Sequence, residues 1–211
     1  MKSRGLFITF EGIDGCGKTT QIELLKEYFT KQGKTVIVTR EPGARGLGTK
    51  LREILLNYDG EISSNCESFL FLADRAQHID TIIRPATERG EIVLCDRHTD
   101  STVAYQGYGR QLDLNRIKML NDIAVNGLYP DLTFVFDIDL ETSAKRIGKD
   151  KDRMESAGTE FFNRVRNGYK SIALNEPDRV KLIDGSLTVE DISNTIIEHI
   201  TAYNNKLAVK Q

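Results

Sequence analysis

The stretch that decides the fold is Gly12-Ile-Asp-Gly-Cys-Gly-Lys-Thr19, which fits the phosphate-binding pattern G-x-x-x-x-G-K-[S/T]. The apolar run Leu6–Gly12 before it predicts a buried strand. The segment after it has helical periodicity, with Ile22, Leu25 and Phe29 on one face. A plain glycine turn is the alternative, but a loop between strand and helix favours anion binding by backbone N–H groups and the helix N-terminus. The predicted nucleotide-binding residues are Gly12, Ile13, Asp14, Gly15, Cys16, Gly17, Lys18, Thr19 and Thr20.

Two side chains of this phosphate-binding loop (P-loop) carry predicted chemistry. Lys18 should reach the β- and γ-phosphates of ATP, and Thr19 should ligate Mg²⁺. A GTPase usually carries an Asn-Lys-x-Asp guanine reader, whereas the Asn-Lys pair at Asn205-Lys206 is followed by Leu-Ala. A chain of 211 residues is short for an ATPase motor, so a small P-loop kinase fits best. A P-loop switch or a binding module without turnover is the alternative.

Five short apolar runs alternate with helical patterns. Continuous apolarity is typical of strands covered on both faces, as in a parallel sheet. The predicted strands are Leu6–Gly12, Thr35–Arg40, Glu91–Arg97, Leu132–Asp139 and Arg179–Gly185. The alternation predicts an α/β P-loop NTPase fold over residues 1–211, one domain with a five-stranded parallel sheet flanked by helices. Ligands then bind beyond the carboxyl ends of the strands.

Helices are predicted at 19–33, Cys66–Ile83, 111–127 and 186–203. Pro85 should kink or end the second of these. Its expected apolar stripe is Phe69, Leu72, Ala73, Ala76, Ile79 and Ile83. Two stretches break the alternation, the polar segment 99–113 and the charged segment 145–158, and we interpret both as candidate active-site loops. The second would be a short mobile lid.

Composition excludes several classes of partner. The formal net charge of −2 gives no global basic field for nucleic acid. No stretch approaches 18 apolar residues, so a membrane span is not expected. The three cysteines (Cys16, Cys66 and Cys95) form no C-x-x-C pair, which favours a reduced, cytoplasmic setting.

A kinase must also bind its acceptor, and phosphoryl transfer depends mainly on positioning and charge neutralisation. Asp96 and Arg97 end the third strand, where they could organise Mg²⁺ and hold phosphate. Phe71 and Arg75 lie one helical turn apart, so an aromatic ring and a guanidinium could read a base together. For each group the alternative is an ordinary ion pair, core residue or solvated face. The charged run that could close as a lid contains Arg146, Lys149, Lys151 and Arg153.

Taken together, these motifs resemble thymidylate kinase over essentially the whole chain. The matching segments, in family order, are FEGIDGCGKTTQ (10–21), TREPG (39–43), FLADRAQH (71–78), DRHTDSTVAYQGYGR (96–110), YPDLTFVFDID (129–139) and DRMESAGTEFFNRVRNGY (152–169). The resemblance implies transfer of a phosphoryl group from ATP to dTMP, with Mg²⁺, in dTTP synthesis. It also implies a homodimer. Another P-loop nucleoside monophosphate kinase is the alternative within enzymes.

The resemblance also implies roles for individual residues. Phe71 would stack on thymine, Arg75 would hydrogen-bond its O4, and Thr102 would lie near the ring edge. Tyr105 would crowd the 2′ position of the sugar, and Asp14 would lie near the 3′-hydroxyl and phosphate. The acceptor phosphate would be held by Arg97, with Arg40 and Gln106 as further acceptor contacts.

The resemblance further implies where the catalytic cation comes from. Some family members carry an arginine directly after the position of Asp14, but this chain has Gly15 there and so resembles the type whose lid supplies the cation. Arg153 matches the lid segment Asp-Arg-x-Glu and is the first candidate, with Arg146 second. Lys149 and Lys151 stand where an arginine is common, and a lysine offers a point charge in place of a planar fork. Adenine is expected between Arg146 and Asp184–Leu187.

Overall fold

The computed structural model describes residues 4–146, 153–154 and 157–209. In these residues five parallel strands form one sheet with the order β2-β3-β1-β4-β5. The strands are β1 (Phe7–Glu11), β2 (Val36–Arg40), β3 (Ile92–Asp96), β4 (Leu132–Asp137) and β5 (Val180–Asp184). All five lie inside the predicted runs, which confirms the α/β class and the parallel sheet.

The helices flank both faces of this sheet. They are α1 (Lys18–Lys31), α2 (Leu47–Asn57), α3 (Ser64–His78), α4 (Arg84–Glu88), α5 (Thr99–Thr102), α6 (Leu114–Val125), α7 (Leu140–Arg146), α8 (Thr159–Asn175) and α9 (Val189–Ala208). Two π-helical segments, Ile79–Ile83 and Val103–Gly109, join α3 to α4 and extend α5. The predictions for α1, α3, α6 and α9 are confirmed, whereas α2 and α8 were not predicted.

Alternate residues of the central strands build a core on each face of the sheet. Phe7 of β1 packs with Ile79 and Ile83 below α3, whereas Ile8 and Phe10 pack in the larger cluster that α1, α8 and α9 cover. Strand β1 is buried at every position, which explains why three of its five residues are large and apolar. The pairing of Phe10 with Asp96 in β3 brings the ends of β1 and β3 to one edge.

The apolar stripe predicted for α3 is partly wrong. Phe69 is 56% exposed, and the buried face of the helix includes Glu67, Asp74, Arg75 and His78. These polar groups are tolerated inside because each has hydrogen-bond partners from other elements. The helical path also does not end at Pro85, since the π-helical segment lets it continue into α4.

The segment 99–113 is largely helical, contrary to the loop we predicted. Its π-helical part packs closely on α8, where a Cβ at Gly109 would lie 2.6 Å from Phe161 and one at Gly168 would lie 2.8 Å from Tyr108. Gly109, one of the glycines that suggested a loop, and Gly168 of α8 allow this close approach.

Candidate active site

The P-loop backbone has the conformation that its glycines predict. Gly12, Gly15 and Gly17 have φ values of 134°, 73° and 101°, in the region that favours glycine. A Cβ at Gly12 would lie 2.6 Å from the carbonyl oxygen of Phe136, so a side chain there has no room. Helix α1 begins directly after the loop, at Lys18, and its N-terminus adds partial positive charge to the loop.

Lys18 is buried between the P-loop and the end of β3. Its Nζ lies 3.3 Å from the carbonyl oxygens of Gly12 and Ile13 and 4.0 Å from the carboxylates of Asp14 and Asp96. The next two residues, Thr19 and Thr20, are exposed in the first turn of α1. The ammonium group of Lys18 therefore lies where the P-loop, the end of β3 and the neighbouring cleft meet.

One cleft opens beside this loop, beyond the carboxyl ends of β1, β2 and β3. Its empty volume is about 690 Å³, open mouth included, which lies in the range of small-ligand sites. Nine predicted residues line it: Asp14, Arg40, Phe71, Arg75, Asp96, Arg97, Thr102, Tyr105 and Gln106. The structure thus brings together the predicted acceptor residues from four separate segments.

Arg97 and Asp14 form an ion pair at the junction of the cleft and the P-loop. Nη2 of Arg97 donates to Oδ1 of Asp14 at 2.9 Å, and the guanidinium lies 5.1 Å from the ring centre of Tyr105. Burial alone would raise the pKa of Asp14, but the charges of Arg97 and Lys18 outweigh it and lower the pKa to about 2. Asp14 is therefore an anion at neutral pH.

Arg75 lies fully buried in the wall of the cleft, with only 2% of its surface exposed. Nε donates to Glu41 at 2.9 Å, and Nη1 donates to Thr102 at 2.7 Å and Asn121 at 2.6 Å. Nη2 donates to the carbonyl oxygen of His98 at 2.8 Å. Since a guanidinium has five N–H donors, these four bonds leave one Nη2 donor for a ligand.

Asp96 differs from the other carboxylates of the cleft. Its Oδ1 is buried without a hydrogen-bond partner among the described residues, and it faces Lys18 at 4.0 Å. Arg40 lies 3.9 Å from the other oxygen. A buried carboxylate oxygen with cations near it but no donor bound to it is free to take a cationic ligand.

The two predicted lid arginines lie in different places. Arg146 donates to the carbonyl oxygen of Gly15 at 3.2 Å and lies 3.5 Å from that of Gly185, so it joins the P-loop to the turn after β5. Arg153 instead donates to the carbonyl oxygen of Leu55 at 2.8 Å and pairs with Glu67 at 2.7 Å. Lys149, Lys151 and most of the predicted lid lie outside the described residues.

Comparisons with known proteins agree on one family. The family model described as thymidylate kinase matches residues 10–196. The chain is 48% identical over 192 residues to a thymidylate kinase of Bifidobacterium longum (strain DJO10A), covering 89% of this chain and 93% of that protein. It is 45% identical over 208 residues to one of Desulfovibrio desulfuricans, covering 94% and 96%. The crystal structure of thymidylate kinase from Ehrlichia chaffeensis matches with a TM-score of 0.77 at 37% identity, covering 93% of this chain and 99% of that chain.

The chain belongs to the thymidylate kinase family. Membership confirms the family predicted from the motifs and makes the chain an ATP-dependent nucleoside monophosphate kinase that phosphorylates dTMP. The alternatives, another monophosphate kinase or a non-catalytic module, are not favoured. None of the helices in the described part of the chain combines the length and the hydropathy that a bilayer crossing needs.

Sequence reasoning missed a carboxylate that lies between the P-loop and the cleft. Glu11, at the end of β1, accepts hydrogen bonds from His98 N at 2.7 Å, from Ser101 at 2.5 Å and from Tyr169 at 3.0 Å. Burial and the nearby charge of Asp100 raise the pKa of Glu11 to about 7. Two of these partners also contact Arg97, whose Nη1 lies 3.4 Å from the hydroxyls of Ser101 and Tyr169.

Glu67 is a second missed carboxylate, and it links the cleft to residue 153. It accepts from Gln106 at 2.9 Å and from Arg110 at 3.1 Å, and it pairs with Arg153. Burial opposes ionisation of Glu67, but hydrogen bonds from Arg110 and Gln106 outweigh it and lower the pKa. The sequence signal that could have found it is its place on α3, one turn before Phe71.

Other cleft residues missed from the sequence are Glu41, Pro42, Arg52, Leu56, Ser101 and Met154. Glu41 and Pro42 stand in the quoted TREPG segment, and Ser101 stands in the segment 96–110. Arg52 and Leu56 lie on α2, a helix that was not predicted. Their position in the cleft follows from tertiary packing.

Proposed function

We propose that this chain transfers the γ-phosphoryl group of ATP to the 5′-phosphate of dTMP at the junction of the P-loop and the cleft. The observation that carries the proposal is one continuous site. Lys18 and Arg97 flank Asp14 at the junction, and Phe71 and Arg75 line the far wall of the same cleft. A donor on the P-loop and an acceptor in the cleft would meet between two cations, as phosphoryl transfer requires.

The donor phosphates would lie on the P-loop, Gly12 to Thr20. Backbone N–H groups and the N-terminus of α1 would hold the phosphate oxygens, and Lys18 would turn from the loop carbonyls to the β- and γ-phosphates. Arg146, already between Gly15 and Gly185, would border the nucleotide on its adenine side.

Mg²⁺ fits the residues at the end of β3. Asp96 offers a buried oxygen without a partner, and Thr19 offers an exposed hydroxyl in the first turn of α1. No cluster of three or more histidine, cysteine or acidic side chains suited to a metal occurs in the described residues. That fits Mg²⁺, which commonly uses one or two protein ligands plus phosphates and water. When bound, the ion neutralises charge on the phosphates.

The acceptor base would lie between Phe71 and Arg75. Phe71 would stack on thymine, and the remaining Nη2 donor of Arg75 would bond O4, with Thr102 beside the ring. Gln106 lines the same wall, held by Glu67.

The acceptor sugar and phosphate would lie nearer the P-loop. The hydroxyl of Tyr105 is buried without a partner among the described residues, and we place it against the 2′ position of the sugar. Arg97 and Arg40 would hold the 5′-phosphate, and Asp14 would lie beside it and the 3′-hydroxyl. The acceptor phosphate is itself an anion, so the transfer needs no strong general base.

A lid cation completes the proposed mechanism. Arg153 is the first candidate, and to act it must exchange Glu67 for the transferred phosphoryl group. Arg146 is the second candidate and already lies at the P-loop. Closure of the lid, residues 145–158, would exclude water that could otherwise accept the phosphoryl group.

We also propose that the chain acts as one domain in a cytoplasmic homodimer. The exposed apolar residues Phe69, Met119 and Ile123 lie on α3 and α6, two helices that pack against each other, and offer a surface for self-association. The three cysteines are free, as expected in a reducing compartment. Light scattering of the purified chain tests the dimer, and a monomeric mass at micromolar concentration contradicts it.

A coupled ADP-release assay tests the function, with ATP, Mg²⁺ and one of dTMP, dCMP, dGMP or UMP. We expect turnover with dTMP well above the other three, loss of turnover with EDTA, and its return with added Mg²⁺. Absence of turnover with any acceptor would overturn the proposal.

A further inference from the structure

The buried carboxylate of Glu41 lies directly against Arg75. Glu41 follows β2 directly and is only 4% exposed. Its Oε2 accepts from Nε of Arg75 at 2.9 Å, and its Oε1 accepts from Nδ1 of His78 and from Nδ1 of His98, each at 2.9 Å. These three hydrogen bonds to the carboxylate therefore come from a guanidinium and a histidine ring on α3 and from a histidine ring just after β3.

The two histidines are themselves held in place, so they fix the carboxylate. Nε2 of His78 hydrogen-bonds the hydroxyl of Thr39 at 2.7 Å, and the ring of His98 packs edge-on against Phe7 at 5.0 Å between centroids. Both Nδ1 atoms act as donors, because an ionised carboxylate can only accept hydrogen bonds. Glu41 consequently cannot rotate away from Arg75 without breaking several contacts.

Glu41 and Arg75 form a buried ion pair in which each compensates the charge of the other. Burial lowers the pKa of His98, which keeps that ring neutral at neutral pH. Burial opposes ionisation of Glu41, but its histidine and arginine partners outweigh it and hold the pKa of the carboxyl well below its usual range. A buried arginine without its anion would be strongly destabilised and would seek water or another acceptor.

The geometry of Arg75 depends on this pair. Nε is bound to Glu41, three further donors are bound by Thr102, Asn121 and the carbonyl of His98, and one Nη2 donor remains. The direction of that last N–H is fixed because the guanidinium is planar. A base with a carbonyl oxygen there can accept it, whereas a base with an amino group presents a second donor and is rejected.

We propose that Glu41 is a positioning residue that, by holding Nε of Arg75, sets the preference of the cleft for a base with a carbonyl at the position Arg75 reads. The inference rests on the proposed function. It assigns Glu41 no contact with substrate, since its action passes through Arg75.

The test is the ratio of kcat/KM for dTMP to kcat/KM for dCMP, because the fraction of active protein cancels in that ratio. We expect Glu41→Ala and Arg75→Ala each to lower the ratio by about tenfold or more. The double variant should lose no more than Arg75→Ala alone, to within about twofold, since both changes remove one interaction. Glu41→Gln should lower the ratio less than Glu41→Ala does, because the amide oxygen can still accept from Nε.

Asp74→Asn is the matched control. Asp74 is a buried acid next to Arg75 on α3, but its carboxylate accepts from the backbone N–H of Gly43 at 3.2 Å. This change should leave the ratio within about twofold while altering the melting temperature.

Three outcomes overturn the inference, and a fourth applies if Glu41→Ala does not fold. The first is a Glu41→Ala ratio within twofold of wild type, and the second is multiplication of the two single losses in the double variant. If Glu41→Ala does not fold, Glu41→Asp decides instead, and an unchanged ratio in that variant overturns the inference. The third is a wild-type enzyme that phosphorylates dTMP and dCMP equally well. Absence of any wild-type turnover removes the proposed function first, and the inference with it.

Discussion

Arg153→Ala separates two functions that one arginine could have. If Arg153 moves from Glu67 to the transferred phosphoryl group in the transition state, its loss should lower kcat by about 100-fold, equivalent to about 2.7 kcal/mol. The KM for dTMP should change by less than about threefold, because the contact forms only in the transition state. If Arg153 serves only to form the ion pair with Glu67, kcat should stay near that of the wild type.

The structure also sets the expected cost to stability. The Arg153–Glu67 pair has an N–O distance of 2.7 Å, with side chains 20% and 1% exposed. Without Arg153, Glu67 keeps its bonds from Arg110 at 3.1 Å and Gln106 at 2.9 Å, so its charge stays compensated. The loss should therefore be about 1 kcal/mol, below the 3–5 kcal/mol of a buried charge left alone. For a chain of this size that lowers Tm by about 2–4 °C.

The assay measures kcat and KM by coupled ADP release, and Tm by circular dichroism. Glu67→Gln is the control, since it removes the docking carboxylate but leaves Arg153 able to reach the phosphates, and its kcat should fall far less than that of Arg153→Ala. A kcat within about twofold of wild type in Arg153→Ala refutes Arg153 as the transferring cation. In that case Arg146→Ala, whose guanidinium lies 3.2 Å from the carbonyl of Gly15, should show the 100-fold loss.

Three further changes address the donor site, the base site and the buried acid. Lys18→Ala should lower kcat by about 100-fold or more, because it removes the cation at the P-loop, and a loss below tenfold in single-turnover experiments contradicts this. Phe71→Ala should raise the KM for dTMP by about tenfold, since stacking on a base contributes about 1–3 kcal/mol; an unchanged KM rules out the stacking. The pKa of Glu11, raised from 4.5 to about 7, means that the folded state keeps a proton that the unfolded state releases. The free energy of unfolding of the wild type relative to Glu11→Gln should therefore fall between pH 5 and pH 7, by at most about 3 kcal/mol, and urea titrations with equal pH slopes would disprove it.

The sheet and the P-loop could be predicted because their signals are local. The three central strands are mostly apolar up to a terminal acid, and burial on both faces of a parallel sheet produces that pattern directly. Gly12, Gly15 and Gly17 have positive φ values that favour glycine, so the glycines of the motif directly predict the conformation of the loop. Asp14, Arg40, Asp96 and Arg97 meet in the cleft because strand ends converge at one edge of such a sheet, whereas the other five predicted residues reach it from helical segments.

Helix α3 shows where local reasoning fails. We predicted Phe69 inside and treated Arg75 as a surface or ligand-binding residue, yet Phe69 is 56% exposed and Arg75 is buried. Hydrophobic periodicity assumes that polar side chains prefer water. Here Glu41, 34 positions away, supplies a charge that makes burial of Arg75 possible. Such a pairing has no local signature, and neither has the docking of Arg153 on Glu67.

The acids at the strand ends show what the structure adds to the motif. All five strands end in, or are directly followed by, an acidic residue: Glu11, Glu41, Asp96, Asp137 and Asp184. From sequence we assigned the metal to Asp96, although the other four acids also stand at strand ends. Their partners distinguish them. Hydroxyl and amide groups donate to Glu11, and an arginine and two histidines donate to Glu41. An arginine and a lysine of α8 pair with Asp137, and Asp184 accepts from its own turn. Among the described residues Asp96 alone of the five has a buried oxygen without a donor. A cation entering this edge of the sheet would displace existing bonds at the other four acids but not at Asp96, which is the physical reason to place Mg²⁺ there.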